Sequence, residues 1–157
     1  MAKLVGAALL GQSGGPTSVI NASAAGVFLE ALKHEEITEI YGARHGIKGI
    51  LDEEFYDIRM EDPKELELLK FTPSSAIGSV RYKLKDVNVD ATDYNKLLEI
   101  FKKYNIRYFF YNGGNDSMDT CLKISKFMKK SGWECRVVGV PKTIDNDLPL
   151  PMNTPTF

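Results

Sequence analysis

Reactive side chains crowd the segment from Pro141 to Asp147, which carries an amine at Lys142, a hydroxyl at Thr143 and carboxylates at Asp145 and Asp147. In an extended segment alternate residues project to the same side, so the two aspartates would face one point. Carboxylates held that close repel each other unless a cation or a substrate hydroxyl lies between them. The segment therefore predicts a site for proton transfer or cation binding, with a solvated acidic turn as the alternative.

The residues before this segment explain where it would lie. Arg136 to Val140 is a short apolar run, typical of a strand buried in a parallel sheet. Pro141 has no N–H to continue a ladder, so we expect the strand to end there. Ligands of open α/β sheets bind at the carboxyl ends of the strands, which is where the reactive segment falls.

Two glycine pairs also follow predicted strands. Gly14 and Gly15 come after the apolar stretch from Lys3 to Leu10, and Gly113-Gly114 comes after an aromatic strand at residues 106–111. Glycine lets the backbone approach an anion closely, and the helix predicted after each pair offers free N–H groups. Because parallel strands end at the same edge of a sheet, we expect both pairs to meet the reactive segment. A plain tight turn is the alternative for either pair.

Asn115 and Asp116 add oxygen ligands beside the second glycine pair. Such ligands suit magnesium, which keeps several waters and takes few protein oxygens. The alternative is that Asp116 only caps a helix beginning at Ser117. Two phosphate-type loops and a lysine–aspartate cluster at one sheet edge favour phosphoryl transfer.

The order of predicted elements indicates the fold class. Strands and helices alternate, which is typical of an α/β fold in which helical layers cover both faces of a mainly parallel sheet. The first glycine pair is followed by a predicted helix that Thr17 or Ser18 would cap, and then by a strand from Glu36 to Ala43. Next come a loop broken by Gly42, Gly46 and Gly49 and a possible edge strand near Phe55 to Ile58. The other predicted helices run from Pro63 to Lys70, from Ala91 to Tyr104 and from Ser117 through Met128.

Length and composition limit the number of domains and the classes of partner that the chain is expected to have. The 157 residues, 43% hydrophobic and 26% charged, are expected to form a single α/β domain over residues 1–157. A formal charge of −1 gives no reason to expect nucleic acid or an anionic membrane as a partner. The apolar N-terminal stretch is too short to span a bilayer. Cys121 and Cys135 are expected to be reduced thiols of a cytoplasmic protein.

Three motifs together carry a family resemblance. Gly14–Asn21, Gly113–Ser117 and Pro141–Asp147 resemble, in order and spacing, motifs of the 6-phosphofructokinase family, and Gly78–Arg81 is similar to its nucleotide- or phosphate-contacting arginine segment. The resemblance implies the three-layer α/β fold of that family's N-terminal domain. It also implies transfer of a phosphoryl group to the 1-hydroxyl of fructose 6-phosphate, with Mg²⁺ as cofactor.

The resemblance assigns roles in the last motif. Asp145 occupies the place of the general base that takes the sugar hydroxyl proton, and Asp147 would orient and polarise that loop. Thr143 and Ile144 would contact the substrate or the transferring phosphoryl group.

It also assigns roles elsewhere in the chain. Gly15 would lie against the donor phosphate through its backbone N–H, and Arg81 would contact substrate phosphate. Asn115 occupies the place of a magnesium-coordinating aspartate. Because an amide oxygen carries no charge, a water-mediated contact with the ion is the alternative to direct coordination.

Two positions bear on the phosphoryl donor. ATP-dependent members of the family have glycine at the positions of Asp116 and Lys142. A carboxylate at the first position would crowd and repel the α-phosphate of ATP, and an ammonium at the second would hold the leaving phosphate. The pair therefore resembles the pyrophosphate-dependent branch, with a surface salt bridge between the two as the alternative.

Members of this family are considerably longer than 157 residues. We therefore interpret the chain as the N-terminal, donor-binding part of an enzyme that acts as a homo-oligomer, a dimer in its full-length form, and we expect this part to be inactive alone. The alternatives are an ATP-dependent phosphofructokinase, a related ATP-dependent sugar or lipid kinase, and a non-catalytic module that binds phosphate or a partner.

Overall fold

The computed structural model describes residues 3–143, in which five strands form one sheet in the order β3-β2-β1-β4-β5. The strands are β1 (Gly6–Gln12), β2 (Ile37–Ala43), β3 (Phe55–Asp57), β4 (Ile106–Gly113) and β5 (Arg136–Pro141). β1 pairs in parallel with both β2 and β4, and β4 pairs in parallel with β5. β3 runs antiparallel to β2 at one edge. The predicted, mainly parallel sheet with an edge strand near Phe55 is confirmed.

Helices cover both faces of this sheet. The α-helices of the described residues are α1 (Ser18–Ala31), α2 (Gly46–Leu51), α3 (Pro63–Leu68), α4 (Thr92–Lys103) and α5 (Asn115–Lys130). α1 and α3 bury side chains in one core cluster, and α2, α4 and α5 bury theirs in a second. The predicted three-layer α/β architecture is therefore confirmed. No helix within residues 3–143 is long and apolar enough to cross a membrane.

The central strand β1 supplies residues to both clusters. Ala7 and Leu9 belong to the cluster under α4 and α5, whereas Ala8 and Leu10 belong to the cluster under α1, and each is at most 2% exposed. Successive side chains of a strand point to opposite faces, so a strand covered on both sides is apolar at every position. This explains the continuous apolar run near the N-terminus.

Both cysteines are free thiols. Cys121 is buried in α5, and Cys135 is half-buried directly before β5. Burial raises the pKa of each thiol to about 12. Thiols are nucleophilic as thiolates, so these two are inert packing residues.

The predicted loop after β2 is wrong, because the chain there forms α2. His45 and Gly46, with φ of 57° and 58°, turn the chain into this helix. Ile47 and Ile50 are then fully buried against the core. Gly49 is required because a Cβ atom there would lie 1.5 Å from the carbonyl oxygen of Arg44. The glycines that indicated a loop are thus the residues that let a short helix pack closely.

β5 extends one residue further than predicted. Pro141 lies opposite Gly113 in the parallel register, and the N–H of Lys142 donates to the Gly113 carbonyl at 3.0 Å. β5 is the edge strand of the described sheet, and proline is tolerated where its missing N–H would face away from the neighbouring strand. The strand therefore brings Lys142 directly beside the end of β4.

Candidate active site

The carboxyl ends of β1, β4 and β5 border a cleft of about 500 Å³. It is lined by residues 13–15, 81–83, 114–117, 119, 142 and 143. The glycine loops and the start of the reactive segment thus meet at one edge of the sheet, as the parallel strand order predicts.

The cleft gathers most of the candidate site residues. Gly15, Arg81, Asn115, Asp116, Lys142 and Thr143 all line it. Ile144, Asp145 and Asp147 lie outside the described residues. Their roles, like those of the residues in the cleft, stay predictions.

The loop after β1 presents backbone to the cleft. Gly14 has a φ of 79°, in the left-handed region that favours glycine. Its carbonyl accepts a hydrogen bond from the Ser79 hydroxyl at 2.6 Å, and its N–H donates to the Val80 carbonyl at 3.4 Å. Gly15 is exposed, and a Cβ atom added to it would have no atom of any non-adjacent residue within 4 Å. Gly15 is therefore accessible from the cleft, while Gly14 is held in place.

Thr17, one of the two expected N-cap residues, does precede α1, but neither helix that flanks the cleft has a side-chain cap, and the alternative that Asp116 caps α5 is wrong. Thr17 is the N-cap residue of α1, but its hydroxyl caps no N–H group and is buried without a hydrogen-bond partner. The N-cap of α5 is Gly114, because the helix begins two residues earlier than predicted. Asp116 therefore lies in the first turn, where its charge interacts favourably with the helix dipole.

The end of β4 is packed too closely for any residue but glycine. A Cβ atom on Gly113 would lie 2.1 Å from the Ser117 Oγ and 2.8 Å from the Ser13 carbonyl oxygen. This contact draws the N-terminus of α5 against the loop after β1. A helix N-terminus attracts anions, so the arrangement aims a favourable end of the helix into the cleft.

Gly113→Ala should lower the free energy of unfolding of the chain by roughly 1–3 kcal/mol, because an added methyl group would overpack this junction. Gly26→Ala is the matched control, since Gly26 lies on the exposed side of α1 with open space around its Cα. It should stabilise the chain by about 0.5–1 kcal/mol. Urea denaturation of both variants measures the difference, and equal midpoints would contradict the packing argument.

Lys142 ties the three strand ends together. It is 5% exposed, its backbone N–H donates to the Gly113 carbonyl at 3.0 Å, and its ammonium donates to the Gly15 carbonyl. A buried ammonium needs such acceptors, because its desolvation is costly. The side chain therefore places a positive charge beneath the loop after β1, at the wall of the cleft.

The charges around the cleft favour an anionic ligand. Arg81, Lys83 and Lys142 line it as cations, and Asp116 and Asp119 line it as carboxylates. Asp119 forms an ion pair at 2.7 Å with Lys123, which does not line the cleft. Among the described residues that line the cleft, the three cations outnumber the two carboxylates, which favours attraction of a phosphate.

Tyr82 and Lys83 were not among the predicted site residues. The Tyr82 hydroxyl donates to the Asp93 carboxylate at 2.8 Å, and burial together with this bond raises the pKa of Tyr82 to about 12. The ring is thereby fixed between Arg81 and Lys83, both of which are exposed. In the sequence, the consecutive large polar residues Arg81, Tyr82 and Lys83 could have indicated that all three belong to the site.

The cleft can be compared with what a bound metal ion would require. Residues 3–143 contain no group of three or more His, Cys, Asp or Glu side chains that could hold one. Asn115 and Asp116 nevertheless both line the cleft. Magnesium takes one or two protein oxygens when substrate phosphates and waters complete its shell, so the cleft fits an ion that enters with a phosphate ligand.

Comparisons with known proteins agree with this geometry. The family model described as "Phosphofructokinase" matches residues 7–155. The chain is 48% identical over 151 residues to pyrophosphate–fructose 6-phosphate 1-phosphotransferase of Halomonas elongata, covering 96% of this chain and 36% of that protein. The enzyme of the same name from Methylococcus capsulatus is 46% identical, with the same coverage. The chain therefore spans about a third of the length of these relatives.

Solved structures give the same result. The pyrophosphate-dependent phosphofructokinase from Marinobacter aquaeolei superposes with a TM-score of 0.85 at 45% identity, covering 93% of this chain and 36% of that one. A phosphofructokinase structure from Saccharomyces cerevisiae superposes with a TM-score of 0.74 at 15% identity, over 98% of this chain and 19% of that one. The second likeness shows the fold alone.

Proposed function

Because the chain belongs to the phosphofructokinase family, we propose that it is the donor-binding part of a pyrophosphate-dependent phosphotransferase. In this proposal a polypeptide of the relatives' length that carries this chain, called the full-length enzyme below, moves a phosphoryl group from pyrophosphate to the 1-hydroxyl of fructose 6-phosphate. The observation that carries the proposal is that Asp116 and Lys142, the two donor-determining positions, line the same cleft.

Pyrophosphate would bind between the loop after β1 and the N-terminus of α5. The exposed position of Gly15 supports a contact with one phosphate, and Arg81 and Lys142 supply positive charge within the same cleft. Phosphoryl transfer relies on positioning and on neutralising charge that develops on the leaving group. Lys142 is held within the cleft by its bond to Gly15, so its ammonium needs little reorganisation to stabilise the departing phosphate.

Asp116 would act against ATP. Its side chain is exposed at the cleft wall in the first turn of α5. A nucleotide bound with its terminal phosphates in the cleft would bring the α-phosphate towards this carboxylate, and like charges at close range are unfavourable. Pyrophosphate has no further phosphate or nucleoside to place there.

Mg²⁺ is the proposed cofactor, and Asn115 is the residue that would contact it, directly or through water. The ion would neutralise negative charge on the pyrophosphate oxygens. Asn115 lines the cleft next to Asp116, which supports this placement.

The acceptor side of the reaction rests on the reactive segment. In the proposal Asp145 takes the proton from the sugar 1-hydroxyl as that oxygen attacks the phosphorus, Asp147 orients Asp145, and Ile144 contacts the sugar phosphate. Thr143 is buried at the cleft wall, which supports a contact with the transferring phosphoryl group. The anchors for the sugar phosphate would come from the remainder of the full-length enzyme, which we propose is a cytoplasmic homodimer.

The 157-residue chain alone should form no measurable fructose 1,6-bisphosphate. It spans 36% of its relatives, and loss of substrate positioning can remove about 10² or more in rate. The purified chain and the full-length enzyme should be assayed side by side with pyrophosphate, fructose 6-phosphate and Mg²⁺. Robust turnover by the chain alone would overturn this prediction.

The same assay tests the proposed function on the full-length enzyme. Product formation that depends on pyrophosphate is the expected result. Turnover with ATP in its place would favour an ATP-dependent kinase, and pyrophosphate binding without turnover would favour a non-catalytic phosphate-binding module.

A further inference from the structure

A segment without helix or strand leads directly to Arg81, which lines the cleft. Residues 72–80 connect a 3₁₀ turn, Leu69–Phe71, to Arg81. Within the segment, Val80 forms an isolated parallel bridge with Ser13. Because no regular ladder holds these residues, their position depends on individual hydrogen bonds.

Gln12 supplies several of those bonds. It is the last residue of β1 and is fully buried. Its Oε1 accepts from the Ser75 hydroxyl at 2.5 Å and from the Ile77 N–H at 3.4 Å. Its Nε2 donates to the Ile20 carbonyl at 3.3 Å and to Asn21 Oδ1 at 3.1 Å. One side-chain amide thus connects the end of β1 and the start of α1 to the segment.

Asn21 holds the same segment from the first turn of α1. It is also fully buried. Its Nδ2 donates to the Thr72 carbonyl at 2.9 Å, and its Oδ1 accepts from the Ala76 N–H at 2.8 Å. Together with the bond from Gln12, these contacts use both functional ends of the amide. We call Gln12 and Asn21 the amide clasp.

The far end of the segment is fixed to the glycine loop itself. The Ser79 hydroxyl donates to the Gly14 carbonyl at 2.6 Å, and the Ser13 hydroxyl donates to the Val80 carbonyl at 3.2 Å. The clasp therefore holds the first part of residues 72–80, and the loop after β1 holds the last part. Arg81 follows immediately and lines the cleft.

We propose that Gln12 and Asn21 are positioning residues that set the distance between Arg81 and the Gly14–Gly15 turn. In this inference, which rests on the proposed function, the clasp fixes the width of the pyrophosphate site without touching the ligand. A buried amide whose partners are removed leaves other polar groups unpaired, so loss of the clasp should free the segment locally. Because Arg81 follows the segment, freeing it should weaken binding of pyrophosphate more than binding of the sugar phosphate.

Two variants of the full-length enzyme test the clasp. Asn21→Ala removes the three hydrogen bonds that the Asn21 side chain makes. Ser75→Ala removes only the bond from the half-buried Ser75 hydroxyl to Gln12. Without ligand, hydrogen exchange at residues 76–80 should accelerate about tenfold or more in Asn21→Ala and by less in Ser75→Ala, while β4 keeps its protection. KM for pyrophosphate should rise about tenfold in Asn21→Ala, with KM for fructose 6-phosphate unchanged.

Thr72→Val is the matched control in the same segment. Its hydroxyl donates back to the Leu68 carbonyl at 2.9 Å, and the Thr72 carbonyl that accepts from Asn21 remains. Exchange and both KM values should stay at wild-type levels.

Unchanged hydrogen exchange in both test variants, or equal acceleration across the whole sheet, would contradict the inference that the amide clasp holds residues 72–80 in place. Faster local exchange with an unchanged KM for pyrophosphate would overturn its effect on the donor site. If the wild-type enzyme does not use pyrophosphate, the proposed function fails, and the exchange measurement still decides whether the clasp positions the segment.

Discussion

Asp145→Asn in the full-length enzyme should lower kcat by about 10²–10⁴-fold while KM for fructose 6-phosphate changes little. In the proposed reaction the Asp145 carboxylate accepts the hydroxyl proton as the sugar oxygen attacks. An amide cannot accept that proton, so the loss falls on the transition state rather than on substrate binding. Initial rates at saturating pyrophosphate and fructose 6-phosphate measure it.

Asp62→Asn is the control for this exchange of carboxylate for amide. Asp62 is the N-cap of α3, where its carboxylate accepts from the Lys64 N–H at 2.8 Å. Asparagine caps a helix as well as aspartate does, so neither kcat nor stability should change appreciably. A kcat within a few-fold of wild type in Asp145→Asn would remove Asp145 from the role of base.

Lys142→Met should lower kcat with pyrophosphate by about 10²–10³-fold, the usual cost of losing one electrostatic contact with the transition state. The methionine keeps an apolar side chain of similar length in the buried position, so the variant tests the ammonium rather than the packing. Lys142→Gly should lose both the charge and the packing, and should also unfold at lower temperature.

Lys126→Met is the matched control, because Lys126 is exposed on α5 and does not line the cleft. Its kcat and KM values should equal those of the wild type. If Lys142→Met kept most of its turnover with pyrophosphate, the leaving phosphate would have to be neutralised by another group.

The sheet and the meeting point of its loops were predictable because they depend on local patterns. The apolar run of β1 and the aromatic run of β4 each indicate a buried strand, and a glycine pair follows each one. Parallel pairing then brings the loops to the same edge without any knowledge of side-chain contacts. The short helix α2 escaped prediction because close packing at Gly46 and Gly49 has the same sequence signature as a flexible loop.

The contacts that hold the cleft together were not predictable, because their partners are distant in sequence. Gln12 and Asn21 bind groups of residues 72–77 that lie 51 to 65 positions away. The bond from Lys142 to the Gly15 carbonyl spans 127 positions. From the sequence alone, a polar residue at the end of a strand or in the first turn of a helix is predicted to face solvent. Its hydrogen-bond partner becomes known only when the tertiary structure is known.

We propose that Asp116 and Lys142 make pyrophosphate the phosphoryl donor, and a comparison of the two donors tests this most directly. We would measure kcat/KM for pyrophosphate and for ATP in the wild-type full-length enzyme, in Asp116→Gly and in Asp116→Asn, which removes the charge but keeps the size. We expect that the wild type uses pyrophosphate and barely uses ATP, that Asp116→Gly raises kcat/KM for ATP, and that Asp116→Asn raises it by less. A wild-type enzyme that prefers ATP, or a donor ratio that Asp116→Gly leaves unchanged, would contradict it.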